Sequence, residues 1–145
     1  MKTSDFFTNA EKSEIISAIR EAELSTSGEV RVHIDKWCKG NVLDRAALIF
    51  EKLKMHKTEL RNGVLFYLAL NDKKFAIIGD MGINAKVPPN FWDDTKMQME
   101  EHFSKGQFVA GLTEGIISTG EHLKIHFPRQ KNDVNELPDE ISFKT

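Results

Sequence analysis

A single cysteine, Cys38, among 145 residues rules out an intrachain disulfide framework and fits a reducing compartment. No run of about 18 apolar residues occurs, so no segment reads as a membrane span. No large excess of either charge is present: 20 Lys and Arg stand against 22 Asp and Glu, a formal net charge of −2. Binding a nucleic-acid backbone needs a basic stripe, and none stands in the sequence, so no nucleic-acid partner is expected. The P-loop, GxGxxG, HExxH and G-x-S-x-G patterns are absent as well. The opening residues, MKTSDFFTNAEKSEII, scatter charge where a secretory leader would carry an apolar core. Cytoplasmic location is the default that follows.

What is present is the composition of one globular domain, 40% hydrophobic and 29% charged. Thr8 followed by Glu11 is a capping box, and Ile15, Ile16, Ile19 and Ala22 recur behind it at helical spacing. GEVRVHID, residues 28–35, alternates as a strand does: Val30, Val32 and Ile34 on one side, Glu29, Arg31, His33 and Asp35 on the other. Asn41 and Asp44 open a second helix, with Leu43, Ala46, Ala47, Phe50 and Leu53 expected inward. Val64–Leu70 is apolar on both faces, the mark of a central strand covered above and below. Asn71-Asp72 joins it to Phe75–Ile78 as a hairpin, and GDMGIN follows as a glycine-punctuated loop. Two more helices are expected, from about Pro89 to Ser104 and from about Gln107 to His126, the second with Gly111, Gly115 and Gly120 allowing close packing.

The order predicts an α/β fold. A small mixed sheet holds a parallel pair joined by a crossover helix and an antiparallel hairpin, with helices on both faces. The alternating strand is expected at the edge, the apolar one at the centre. Residues 1–128 form the domain, and 129–145 read as a polar, acidic tail.

Three constellations bear on chemistry. The polar row of the first strand is either a solvated edge or two carboxylates, a guanidinium and an imidazole within reach of one ligand. The loop from Gly79 to Asn84, with Gly82 inside it, ends a strand where backbone N–H groups can approach a phosphate, and Asp80 there could hold a cation. His122 and His126 share a helix face at a spacing that can bind zinc, but no third ligand stands near. Cys38 and the isolated His56 and His102 read as structural.

TSGEVRVHI, RNGVLFYLALNDKKFAIIGDMGI and FSKGQFVAGLTEGI resemble, in order and spacing, the TPM domain, also called the TPM phosphatase domain. The resemblance covers roughly residues 5–127 and is strongest at Arg61-Asn62-Gly63, at Gly79–Gly82 and at Gly106–Gly111. It implies an α/β/α sandwich with a Rossmann-like look. For function it implies either an acid-phosphatase-like hydrolase, as described for a plant thylakoid-lumen member, or an accessory protein that maintains or modulates a complex.

Two readings follow. In a metal-assisted phosphomonoesterase, Asp80 with Glu29 or Asp35 would hold a divalent cation, calcium or magnesium. Arg31 or Arg61 would clamp the phosphate of a small molecule, Asn62 would orient it, and Gly79, Gly82 and Asn84 would line it. His33 could then move a proton. In a binding or adaptor module the same residues would meet a protein partner, with the tail docked in cis or on a neighbour. The start of the first strand and the end of the third share a rim in this topology, which favours Glu29 and Arg31 over His33 and Asp35.

Overall fold

The computed structural model describes residues 2–130 and 135–144. A 3-10 turn at Thr3–Phe6 leads into α1 (Asn9–Ser25), β1 (Glu29–Asp35), α2 (Val42–Lys52), β2 (Gly63–Ala69) and β3 (Lys74–Gly79). There follow α3 (Met81–Lys86), α4 (Asp93–Ser104), α5 (Phe108–Leu123) and β4 (Ser142–Phe143). Thr8 and Glu11 close the expected reciprocal capping box on α1. The Asn41 side chain accepts from the Leu43 and Asp44 N–H groups at the start of α2.

β1 and β2 run parallel, with Glu29 opposite Gly63 and Asp35 opposite Ala69, and β2 pairs antiparallel with β3. The α/β sandwich is therefore as expected, but the edge is not. Strand order is β3-β2-β1-β4, so the alternating strand lies inside the sheet. The C-terminal segment, read as a polar, acidic tail, returns to lay β4 parallel to β1, with His33 opposite Ser142 and Ile34 opposite Phe143. Residues 131–134 of that tail lie outside the described residues. An open strand edge is a template for any extended chain, and a few apolar anchors suffice to hold one there. Here they are Leu137, Ile141 and Phe143, the last facing Phe7 and the ammonium of Lys12.

Two cores sandwich the sheet. Val30, Val32 and Ile34 of β1 and Val64, Phe66 and Leu68 of β2 meet α1, α4 and α5. The opposite face of β2, Leu65, Tyr67 and Ala69, meets α2 through Ala46 and Ile49, with Leu137 of the tail beside them. Leu43 and Ala47 are exposed, contrary to the expected stripe, because Val42, Ala46, Ile49 and Phe50 form the inward face. α4 starts at Asp93 because Pro88–Trp92 forms turns, in one of which the Phe91 N–H donates to the Pro88 carbonyl at 3.0 Å. α5 lies tight on α1: a Cβ at Gly120 would stand 2.7 Å from the Ala22 Cα.

Candidate functional site

The rim shared by the start of β1 and the end of β3 is built around Asn62-Gly63. The Glu29 N–H donates to the Asn62 carbonyl at 3.0 Å, and the Asp80 N–H to the Gly63 carbonyl at 2.9 Å. The backbones of Glu29, Asn62, Gly63 and Asp80 thus meet at one rim, yet the polar side chains there already serve the fold. Arg61, at φ 50°, donates to Asp80 twice, Nε to Oδ2 at 2.7 Å and Nη2 to Oδ1 at 2.9 Å. That pair holds the guanidinium pKa up. Asp80 also accepts the Met81 N–H at 2.8 Å, so GDMGIN is a strand end and a capped helix instead of an open glycine loop.

Its glycines serve packing. A Cβ at Gly82 would stand 2.1 Å from the Leu60 carbonyl oxygen, and one at Gly79 would stand 2.8 Å from Ile83. Asn84 donates its side-chain amide to the Gly79 carbonyl at 3.0 Å. Asn62 donates its own amide to the Ser27 carbonyl at 2.8 Å, while its buried Oδ1 has no partner among the described residues.

The polar row of β1 is neither solvated nor open, since all seven residues of the strand are buried. Glu29 accepts the Glu136 N–H at 2.5 Å and the Leu137 N–H at 2.7 Å, which ties the tail to the strand start. Burial pushes its carboxyl up to about 7 against the pull of those two donors. Glu23 lies next to this region and accepts the Val30 N–H at 3.2 Å. Burial and a hydrogen bond with Asp139 of the tail raise its carboxyl to about 9. Arg31 reaches Glu140 at 4.0 Å, and burial lowers its guanidinium.

Further along the row, His33 lies between Ser142 Oγ, 2.8 Å from Nδ1, and Asp35 Oδ1, 2.8 Å from Nε2. Asp35 also receives Arg45 Nε at 2.9 Å and the Tyr67 hydroxyl at 2.5 Å. Burial by itself would raise the Asp35 carboxyl; the donors His33, Arg45 and Tyr67 overcome it and hold the group well below the usual carboxylate range. Burial, together with the same contact, raises the Tyr67 hydroxyl. An ionised Asp35 only accepts, so His33 donates to it from Nε2. The Ser-His-Asp order resembles a hydrolase relay, but its members are locked in the β1–β4 seam, with Asp35 1% exposed.

A divalent cation needs several convergent oxygens with free lone pairs. Asp80 is occupied by Arg61 and the helix cap, and Glu29 Oε1 by two backbone donors, which leaves no set of convergent free oxygens. Among the described residues no group of three His, Cys, Asp or Glu is placed to hold a metal ion. The residues present therefore do not fit the expected cation. His122 and His126 flank the ring of Phe91, edge to face, and act as packing groups.

Glu23, Arg45, Tyr67 and Ser142 were not marked by sequence patterns. A helix-end Glu, a helix Arg and a central-strand Tyr carry no sign of a partner far along the chain. The one available signal was that a buried strand face bearing Asp35 requires a cation and donors to compensate it.

Residues 1–121 match the model of the TPM domain family. The chain belongs to the TPM domain family. The solution structure of the BA42 protein from the psychrophilic bacterium Bizionia argentinensis is similar at a TM-score of 0.91, with 47% identity over 96% of each chain. That coverage carries the TPM-fold likeness past residue 121 into the C-terminal segment. The N-terminal domain of a Porphyromonas protein, from P. gingivalis, aligns at a TM-score of 0.69 with 17% identity, covering 87% of this chain and 83% of its own. The N-terminal domain of the cg2496 protein from Corynebacterium glutamicum gives 0.64 and 13%, over 79% and 72%. These last two show the TPM fold alone. No curated protein matches the chain. No helix among the described residues is long and apolar enough to cross a membrane.

Proposed function

We propose that this TPM-domain protein is a binding module without phosphomonoesterase activity of its own. One observation carries the reading: each carboxylate that metal-assisted hydrolysis would use already accepts from protein donors, Asp80 and Asp35 through both oxygens and Glu29 through Oε1. Asp80 is held by Arg61, Glu29 by the Glu136 and Leu137 N–H groups, and Asp35 by His33, Arg45 and Tyr67. Freeing any of them would break a helix cap, a tail anchor or a buried charge network, so the polar residues act as scaffold.

The test is hydrolysis of p-nitrophenyl phosphate from pH 5 to 9, with and without calcium or magnesium, alongside thermal melts in the same buffers. No turnover above buffer and no metal-dependent rise in Tm are expected. Turnover that Asp80→Asn and Glu29→Gln both abolish, in variants that stay folded, would establish the phosphatase reading in its place.

A further inference from the structure

On the rim opposite Asp80 lies a cleft of about 880 Å³ that no sequence motif announces. It opens beyond the C-terminal ends of the parallel strands β1 and β4, the end of an α/β sheet where ligands bind. Five cations line it: Lys2, Lys36, Lys39, Arg45 and Lys144. No Asp or Glu does, although acids outnumber bases in the chain. Two aromatic rings, Trp37 and Phe143, stand among the cations, and the Trp37 side chain is 58% exposed. Its ring meets the Lys36 ammonium 5.9 Å from the centroid.

The frame of the cleft is fixed. The Asn71 N–H donates to the Lys36 carbonyl at 2.8 Å, and the Cys38 N–H to Asp72 at 2.7 Å, which pins the loop that carries Lys36, Trp37 and Lys39. The Lys144 N–H donates to the Ile34 carbonyl at 3.1 Å, so β4 sets Phe143 and Lys144 in place. A volume within the roughly 300–1,000 Å³ of small-molecule sites distinguishes this from a flat basic patch. Concentrated positive charge in a concave site attracts a polyanion, and exposed indole beside it offers a stacking surface for a planar ring.

From this geometry we infer that the cleft binds a nucleoside phosphate, the aromatic base against Trp37 and the phosphate chain among the cleft lysines, with Arg45 held by Asp35 at its edge. This inference deepens the binding-module reading and rests on it.

The probe is ATP, titrated without added metal into the full chain and followed by amide and indole NMR shifts and by calorimetry. Saturable shifts are expected at the Trp37 indole, residues 36–39 and residues 143–144. Adenosine alone and inorganic triphosphate alone should each bind at least tenfold more weakly. The double variant Lys39→Glu, Lys144→Glu should raise the ATP Kd at least tenfold. Lys52→Glu with Lys57→Glu, two exposed lysines outside the cleft, makes the same charge change and should leave the Kd within about twofold.

The assignment is overturned by absence of saturation at millimolar ATP, by shifts mapping elsewhere, or by equal losses in the two double variants. Triphosphate binding as tightly as ATP leaves a bare polyanion site and overturns the nucleoside phosphate as ligand. Release of phosphate from ATP that Asp80→Asn abolishes would defeat the binding-module reading while the cleft assignment stands. A null titration does the reverse.

Discussion

Arg61 and Asp80 form a two-pronged ion pair that joins the turn before β2 to the cap of α3, at 2.7 and 2.9 Å. They are 19 positions apart in the sequence, and the β2–β3 hairpin brings them back together. Asp80 therefore does two things, capping a helix and neutralising a guanidinium. Asp80→Ala removes both and should cost at least the roughly 1 kcal/mol of a lost N-cap. Asp80→Asn keeps a good capping side chain and should cost less. Urea midpoints with unchanged m-values measure the two. Equal losses would show that the charge, and not the cap, carries the contact.

Gly82 sets how closely that cap approaches the Leu60–Arg61 turn. The obstacle to a Cβ there is backbone, the Leu60 and Arg61 carbonyl oxygens at 2.1 and 2.6 Å, which cannot rotate away. Gly82→Ala should destabilise by about 3 kcal/mol, the upper part of the range for overpacking. It should also shift the Arg61 and Asp80 amide resonances, since the ion pair spans the same gap. A variant as stable as the parent would mean that α3 slides without cost.

The fold was legible where one segment decides its own structure. The capping box at Thr8, the cap at Asn41, the all-apolar Val64–Leu70 and the hairpin turn each needed only neighbours in sequence. The alternation of GEVRVHID gave the right strand and the right apolar face, and the shared rim of Glu29 and Asp80 followed from topology. What alternation could not supply was the fate of the polar face. Period-two patterning reports which side is apolar, not whether the other side meets water or a compensating set of charges. Arg45 is 10 residues from Asp35, Tyr67 is 32 away and Ser142 is 109 from His33. A polar tail was equally hard to read, because its few apolar anchors acquire meaning only against the open edge of β1. The basic cleft was invisible for the same reason, since its cations come from both ends of the chain and the middle.

Tyr67 supplies one of three donors to a carboxylate that is 1% exposed. Tyr67→Phe keeps the ring and removes only that donor, so about 2 kcal/mol should be lost, as for hydrogen bonds to charged groups. The loss should depend on pH. Asp35 has a depressed pKa in the folded protein, so its contribution is present above the ordinary value of 3.8 and fades as pH falls. The unfolded chains titrate alike, so the gap between parent and variant should be full at pH 7 and still present at pH 4, and it should shrink only where pH falls through the depressed folded pKa of Asp35. A variant as stable as the parent at pH 7 would mean that the hydroxyl contributes nothing to holding Asp35.

Glu29 imposes the opposite slope. Its folded pKa, about 7, lies above the ordinary 4.5, so the protonated form is favoured by folding. That contribution is complete below pH 4.5 and is lost as pH rises through 7, a change of about 3 kcal/mol if Glu29 acted alone. Glu23, raised to about 9, extends the decline to higher pH. Glu29→Gln retains an oxygen that can accept the Glu136 and Leu137 N–H groups, and it carries no charge to desolvate. The variant should match the parent at pH 5, exceed it at pH 8, and show a shallower fall in Tm between them. Because both donors lie on the C-terminal segment, the amides of residues 136 and 137 should also exchange more slowly than in the parent at pH 8. Faster exchange, or a variant less stable at pH 8, would show that the negative charge holds the tail down.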